Sequence, residues 1–360
     1  MLTYGFRRRR RPFVSGLPFR QAGFVSILKP VCGLDDELEQ NLVSFTRLRG
    51  VRYEVIVSSE TWDDPAVEVV RRVMREHPAA PFRLVVEGGS RTGVVNRKVE
   101  RLIAAARAAA GDILLISDSN VRVEPDDLAS TVAAFADPRT GCVSNLFTGS
   151  RPRTLGATIE SLHLVGFVVP GAVLAATAGV PCVVGKSMAL SRRAYEAIGG
   201  FEPYRRVLAE DQAIGLAVKK AGFEVVLSPV VVRNVIVERS IGRAVDRQVR
   251  WNKIRYAFSH PVYAAEIVIN PLVFAMLAAL FAPAQLAFLP LLVAAIRCLQ
   301  LALLNRATAG MLTWRQLAAT PLLDVLMVYA WVVPFFSNSV TWRGYGARIG
   351  RNTQLLEQAA

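Results

Sequence analysis

Histidine and cysteine are scarce in this 360-residue chain, with 3 and 4 copies. Cys32, Cys142, Cys182 and Cys298 are scattered, without a Cys-x-x-Cys pair or metal-ligand spacing. Neither a disulfide framework nor a zinc site is indicated, and a reducing, cytosol-facing setting is the expectation. The N-terminus also lacks a secretory signal: Met1-Leu2-Thr3-Tyr4 runs into Arg7 to Arg11 with no apolar core of about 7–15 residues behind them. Acids are the sparse charge, 29 against 43 Lys and Arg, for a formal net charge of +14 and a pI near 10.2. That excess suits nucleic acid or an anionic bilayer. The chain carries no recognisable nucleic-acid motif, so the expected partner is a membrane surface and not nucleic acid.

What is abundant is apolar sequence, 52% of residues, with a mean hydropathy of +0.33. A catalytic-sized soluble part plus a membrane region accounts for this better than one soluble body. In the first half, Phe24 to Val31, Tyr53 to Ser58, Phe82 to Val86 and Asp112 to Ser117 read as strands, in the continuous apolar runs of a parallel sheet covered on both faces. Asp35 to Leu48, Pro65 to Glu76 and Asn96 to Ala110 carry helical spacing between them. The alternation predicts an open α/β domain, whose ligands bind beyond the carboxyl ends of the strands. Asp64 and Asp118 both fall just after predicted strands.

After His260-Pro261 the composition changes. Val262 to Pro283, Ala284 to Leu304 and Leu317 to Phe336 each approach the ~20 residues needed to span hydrocarbon. Glu266, Arg297 and Asp324 lie within or beside them, where ionisable groups signal either function or mutual neutralisation. A further apolar stretch, Leu164 to Val184, lies between Asp118 and Asp211. If both acids serve one site, an odd number of crossings between them is excluded, so this stretch reads as an interfacial, lipid-facing segment of the catalytic part, or as an ordinary core element. The expected organisation is a basic segment over 1–22, a catalytic domain over 23–258 with the interfacial segment near 164–184, a membrane region over 259–340 and a polar tail over 341–360. The loop with Arg306 and Arg315 and the tail with Arg343, Arg348 and Arg351 both favour the cytosolic side, yet one full crossing separates them.

The chemistry-bearing residues form an ordered set. Asp118 ends an apolar strand in Asp118-Ser119-Asn120, where a carboxylate can meet a hard divalent cation bridging phosphates, although many such aspartates only cap turns. Asp211 follows Glu210 where a helix begins, and has an N-cap reading beside a catalytic one. Arg247-Gln248-Val249-Arg250-Trp251 stands just before the apolar third, its arginines offering permanent charge and fork geometry. With Arg243, Lys253 and Arg255 it also reads as an interfacial helix on anionic lipid. Lys98 is a candidate for the phosphate or sugar side and equally a solvated helix lysine. His163, alone on an apolar stretch, reads as structural. In this order the acids and the Arg-x-x-Arg-Trp segment read as a sugar-nucleotide-dependent transferase acting on a lipid.

These pieces, with Leu28-Lys29-Pro30 and Gly33, Tyr53-Glu54-Val55, Asp63-Asp64-Pro65-Ala66, Gly93 with Asn96 and Lys98, Val121-Arg122-Val123, Cys182-Val183-Val184-Gly185 and, more loosely, Thr341-Trp342-Arg343, resemble the ceramide glucosyltransferase-like family of inverting glycosyltransferases. The resemblance covers roughly Val25 to Trp251. It implies a GT-A fold, a Rossmann-like α/β nucleotide-diphospho-sugar transferase domain, with C-terminal transmembrane helices and the catalytic part facing the cytoplasm. It implies that Asp64, Lys98, Asp118 and Glu210 bind the nucleotide-sugar and that Asp118 holds Mg²⁺ or Mn²⁺. It further implies that Asp211 is the general base, and that Arg247, Arg250 and Trp251 clamp the leaving diphosphate or shape the acceptor entrance. Transfer of glucose from UDP-glucose to the primary hydroxyl of ceramide is the expected reaction. The alternatives are transfer of N-acetylglucosamine to a hopanoid lipid, a processive polysaccharide synthase, disfavoured by Arg247 where those synthases carry Gln, and a non-catalytic membrane scaffold. Three departures stand out: Asp118-Ser119-Asn120 lacks a second carboxylate, the opening membrane helix of animal members is absent, and a family histidine is replaced by apolar residues near Val168.

Overall fold

The computed structural model describes residues 23–88, 95–281, 284–342 and 345–357. The chain forms two compact units, one from residues 23–148 with 169–235 and the other from 149–168 with 236–357.

The first unit is built on an eight-stranded mixed sheet of β1 (Val25–Pro30), β2 (Tyr53–Ser59), β3 (Phe82–Val86), β4 (Ile113–Ser117), β5 (Val121–Arg122), β6 (Thr140–Ser150), β7 (Ser187–Ser191) and β8 (Glu224–Val235), in the order β3-β2-β1-β4-β7-β6-β8-β5. The four strands expected from apolar runs pair in parallel, β2 with β3, β1 with β2 and β1 with β4. Beyond β4 antiparallel pairs appear: β7 runs antiparallel to β4 and to β6, and β5 antiparallel to β8. This second half was not evident as strands because β6 is rich in Thr, Gly, Ser and Asn and β8 contains Pro229. All of β6 is nevertheless buried, and Asn145 within it finds a partner distant in sequence, its Nδ2 donating to Ser187 Oγ at 2.9 Å.

Helices cover both faces. Pro65–Glu76, with Pro at its start, is stapled to one face through Ala66, Val67, Val70 and Val73. Arg97–Arg107 lies on the other, capped by Asn96, whose Oδ1 accepts from the Lys98 amide at 3.0 Å. The helix expected from Asp35 begins later, at Leu38, and ends as a 3₁₀ turn over Phe45–Arg47. Glu37 sits in the left-handed region at φ 51, and the Asp35 carboxylate accepts from Ser119 Oγ, so the two acids belong to a loop ahead of the helix.

In the second unit, Leu155–His163 runs through a π-helical turn at Leu164–Val168 and packs on Ile241–Phe258 and Thr320–Val332. Ile159, Leu162, Val165, Leu301, Leu312 and Leu323 form its core. Among the described residues, three helices are long and apolar enough to cross a membrane, Leu155–Thr177, Ala284–Ala307 and Trp314–Phe335, and the bent pair His260–Ile269 and Pro271–Phe281 would make a fourth. Arg297 and Asp324 neutralise each other in a bidentate pair at 3.0 and 2.9 Å, and Glu266 accepts from Arg255 at 2.9 Å. At and within the expected polar tail over 341–360, β9 (Ser339–Trp342), β10 (Tyr345–Ile349) and β11 (Leu355–Leu356) form a three-stranded antiparallel sheet.

Candidate active site

At the carboxyl end of β4, Asp118 meets two ammonium groups. Lys98 Nζ, from the Arg97–Arg107 helix, lies 2.9 Å from Asp118 Oδ1, and Lys186 Nζ, just before β7, lies 3.0 Å from Oδ2. The β4–β7 register fixes the second contact, because the Asp118 amide donates to the Lys186 carbonyl. Lys186 also donates to Asn120 Oδ1 at 2.9 Å. Lys98 is no solvated lysine: its side chain is 14% exposed and it reaches Glu210 Oε1 at 3.0 Å and the Gly185 carbonyl at 3.1 Å besides. Burial alone would raise the Asp118 carboxyl, but the two lysines outweigh it and hold it far below the usual carboxylate range. Lys98 is likewise penalised by burial, and Asp118, Glu210 and Asp211 together hold its ammonium charged, well above the ordinary lysine value.

Glu210 is buried, with its second oxygen accepting from Asn96 Nδ2 at 3.0 Å. Asp211 is not the N-cap of the Glu210–Lys220 helix; that position is Ala209, and Asp211 lies in the first turn. Its Oδ2 accepts from the Gly185 amide at 2.6 Å and its Oδ1 from the Gln212 amide at 2.8 Å. Burial, then the adjacent Glu210 charge, push its carboxyl up to about 6. Gly185 is confined: a Cβ there would stand 3.0 Å from Lys98 Nζ and 3.1 Å from Asp211 Oδ2. Asp64 has a different environment. It caps the Pro65–Glu76 helix through the Ala66 amide and accepts from the Gly33 amide at 2.9 Å, fixing the loop after β1, where Gly33 takes φ +66.

Arg247, Arg250 and Trp251 lie on Ile241–Phe258 in the second unit. Arg247 is buried and paired with Glu160, which Arg239 approaches at 3.1 Å from another side. The Arg247 guanidinium lies over the Trp251 ring at 4.5 Å, and Trp251 meets His163 edge-on at 5.9 Å. Among the residues of the resemblance, Gly93 and Arg343 lie outside the described residues.

Over residues 4–355 the sequence matches the family described as glycosyl transferase family 21. The chain belongs to that family. The family 21 chain is 28% identical over 243 residues to ceramide glucosyltransferase 1 of Caenorhabditis elegans, covering 65% of this chain and 50% of that protein. It is 33% identical over 114 residues to the ceramide glucosyltransferase of Komagataella phaffii, covering 31% and 22%. The chain spans about half the length of the Caenorhabditis elegans relative and less of the other. The structure of a mannosyltransferase from Pyrobaculum calidifontis, solved with GDP-Man and Mn2+, overlays with a TM-score of 0.51 at 20% identity, covering 93% of this chain and 94% of that one. That likeness shows the GT-A fold, a mixed α/β sheet to which the family 21 chain adds apolar helices.

The divalent cation expected on Asp118 finds little to hold it. Both carboxylate oxygens face ammonium groups that would repel a second cation, and Asn120 Oδ1 is taken by Lys186. Among the described residues no group of three or more His, Cys, Asp or Glu side chains is arranged to hold a metal. In this arrangement the residues do not fit a resident Mg²⁺ or Mn²⁺. Two further lysines meet Asp118 outside the site residues that the sequence pattern points to. Lys186 stands after the quoted Cys182-Val183-Val184-Gly185. Lys29, fully buried, donates to the Asp118 carbonyl at 2.8 Å; in the sequence it is a lysine inside an apolar strand, within the quoted Leu28-Lys29-Pro30. Burial lowers its ammonium to about 7.

Proposed function

We propose that the family 21 chain is a membrane-bound inverting hexosyltransferase that moves glucose from UDP-glucose to the primary hydroxyl of ceramide. One observation carries the reading. Asp211, its carboxyl raised to about 6, is held by two backbone amides beside the Lys98–Asp118–Glu210 cluster at the carboxyl edge of the sheet. A general base works best with a pKa near the operating pH. The names of the nematode and yeast relatives support ceramide as acceptor and glucose as the sugar.

In the reaction, Asp211 takes the hydroxyl proton as the acceptor oxygen bonds to the anomeric carbon. The bond from that carbon to the diphosphate oxygen breaks in line, and UDP leaves with the electron pair. One displacement inverts the centre, so an α-linked donor gives a β-glycoside. Asp64 shapes the nucleotide-binding loop through Gly33, Lys98 and Glu210 hold Asp118 at the diphosphate end, and Arg250 and Trp251 belong to the transfer machinery through the family pattern, with Arg247 orienting Trp251. No step is routed through a divalent cation. The catalytic part, 23–258 with its interfacial segment near 164–184, faces the cytoplasm, which suits its free cysteines. The apolar helices of 259–340 keep it beside its lipid.

The test is product analysis by mass spectrometry. Membranes carrying the chain are incubated with labelled UDP-glucose or UDP-N-acetylglucosamine and with ceramide, diacylglycerol or a hopanoid polyol, with and without Mg²⁺ or Mn²⁺. A β-hexosylceramide that vanishes in Asp211→Asn supports the reading. Sugar on the hopanoid alone replaces the acceptor, and transfer to none of the lipids overturns the function.

A further inference from the structure

The residues around Asp118 fit a bound metal poorly, but they fit something else. Three carboxylates, Asp118, Glu210 and Asp211, share this edge of the sheet with two lysines, Lys98 and Lys186. The lysines are not equivalent. An ammonium has three donors. Lys98 directs its three at Asp118, Glu210 and the Gly185 carbonyl. Lys186 directs two, at Asp118 and Asn120, and among the described residues its third has no partner and is open to a ligand. Lys186 is also fixed in position, since its carbonyl accepts from the Asp118 amide and its chain enters β7 at the next residue. A nucleoside diphosphate brings more negative charge than one aspartate, and a point-charge ammonium is a standard phosphate partner.

We propose that Lys186 is the protein's own cation for the donor diphosphate: it rests on Asp118 and Asn120 without ligand and pairs with the β-phosphate when the nucleotide binds. The absent second carboxylate then has a physical reason. Asn120 presents a neutral amide oxygen to Lys186, so the ammonium is held by one negative charge and is released to phosphate more easily than from two. Asp118 is the resting partner of this lysine, and nucleotide binding needs no divalent ion.

The proposal rests on the reading that this chain binds a nucleoside diphosphate-sugar, but its test needs neither acceptor nor turnover. UDP and UMP binding to the purified full chain in detergent are measured by calorimetry, in EDTA and in Mg²⁺ or Mn²⁺, for wild type, Lys186→Gln and Lys186→Arg. Wild type is expected to bind UDP in EDTA within about threefold of its affinity with metal. Lys186→Gln is expected to lose about tenfold or more for UDP in EDTA, the scale of one charge-assisted phosphate contact. UMP, which lacks the β-phosphate, should bind Lys186→Gln as it binds wild type, which separates loss of a contact from loss of fold. Lys186→Arg should keep most of the UDP affinity. UDP binding by wild type that requires the metal, or Lys186→Gln binding UDP like wild type, overturns the proposal. If wild type binds UDP yet glycosylates no lipid, the lipid-transfer reading fails while this one stands. If wild type binds no UDP in any condition, both fall.

Discussion

Each unit of the molecule buries a charge cluster, and the two are balanced differently. In the first, three carboxylates share the edge of the sheet with two lysines, and burial together with the adjacent Glu210 charge raises the Asp211 carboxyl to about 6. In the second, buried Glu160 is held between Arg247 and Arg239, and Arg247 rests against Trp251. The first cluster leaves a carboxylate able to exchange a proton near neutral pH; the second commits its acid and a motif arginine to each other. A motif residue can therefore act by positioning: within the second unit Arg247 holds Trp251, and its charge is spent on Glu160.

The sharpest way to separate the clusters is to remove one acid from each. Asp211→Asn should lower transfer by about 10²–10⁴-fold, the range of a general base, with UDP affinity unchanged by calorimetry. Glu160→Gln should instead act on stability, lowering it by about 3 kcal/mol, because it leaves buried arginine charge without its carboxylate. Thermal unfolding in detergent reads this, and replacing Arg247 by Met in the same chain should recover much of the loss. If Glu160→Gln leaves the melting temperature unchanged, the second cluster is not a structural clamp.

The pH dependence sharpens the contrast. An Asp211 carboxyl near 6 predicts an acid limb in kcat/KM, with the rate falling as pH drops through about 6. The same shift has a stability sign. The folded value lies above the ordinary 3.8, so the contribution is favourable below about 3.8 and is lost as pH rises through about 6. Asp211→Asn should therefore be more stable than wild type at pH 7.5, by on the order of 1–3 kcal/mol, and this advantage should vanish below pH 4. A variant less stable than wild type at pH 7.5 would contradict a raised Asp211 carboxyl. The smallest effect expected is that of Gly185→Ala. Its Cβ must displace Lys98 Nζ or the Asp211 carboxylate by a few tenths of an ångström, and transfer should fall by about tenfold with little change in melting temperature.

The parallel half of the sheet was legible because β1 to β4 are continuous apolar runs, and the Pro65–Glu76 helix because it carries a proline start and a clear apolar stripe. The antiparallel half was not, since β6 buries polar side chains whose partners are distant in sequence. Asp118, Glu210 and Asp211 could be picked from their places after a strand and at a helix start. That Asp211 is not the helix cap, and that Lys98 is buried and not solvated, required the fold.

The sequence by itself determined an α/β domain followed by apolar helices, the family, and the order of the acids and arginines, because periodicity, hydropathy and motif spacing are local properties. Only the tertiary structure decided which charges meet. Lys98, Asp118, Lys186 and Glu210 are separated by tens of residues and converge through strand register and helix packing, and a pKa is set by the neighbours that such convergence supplies.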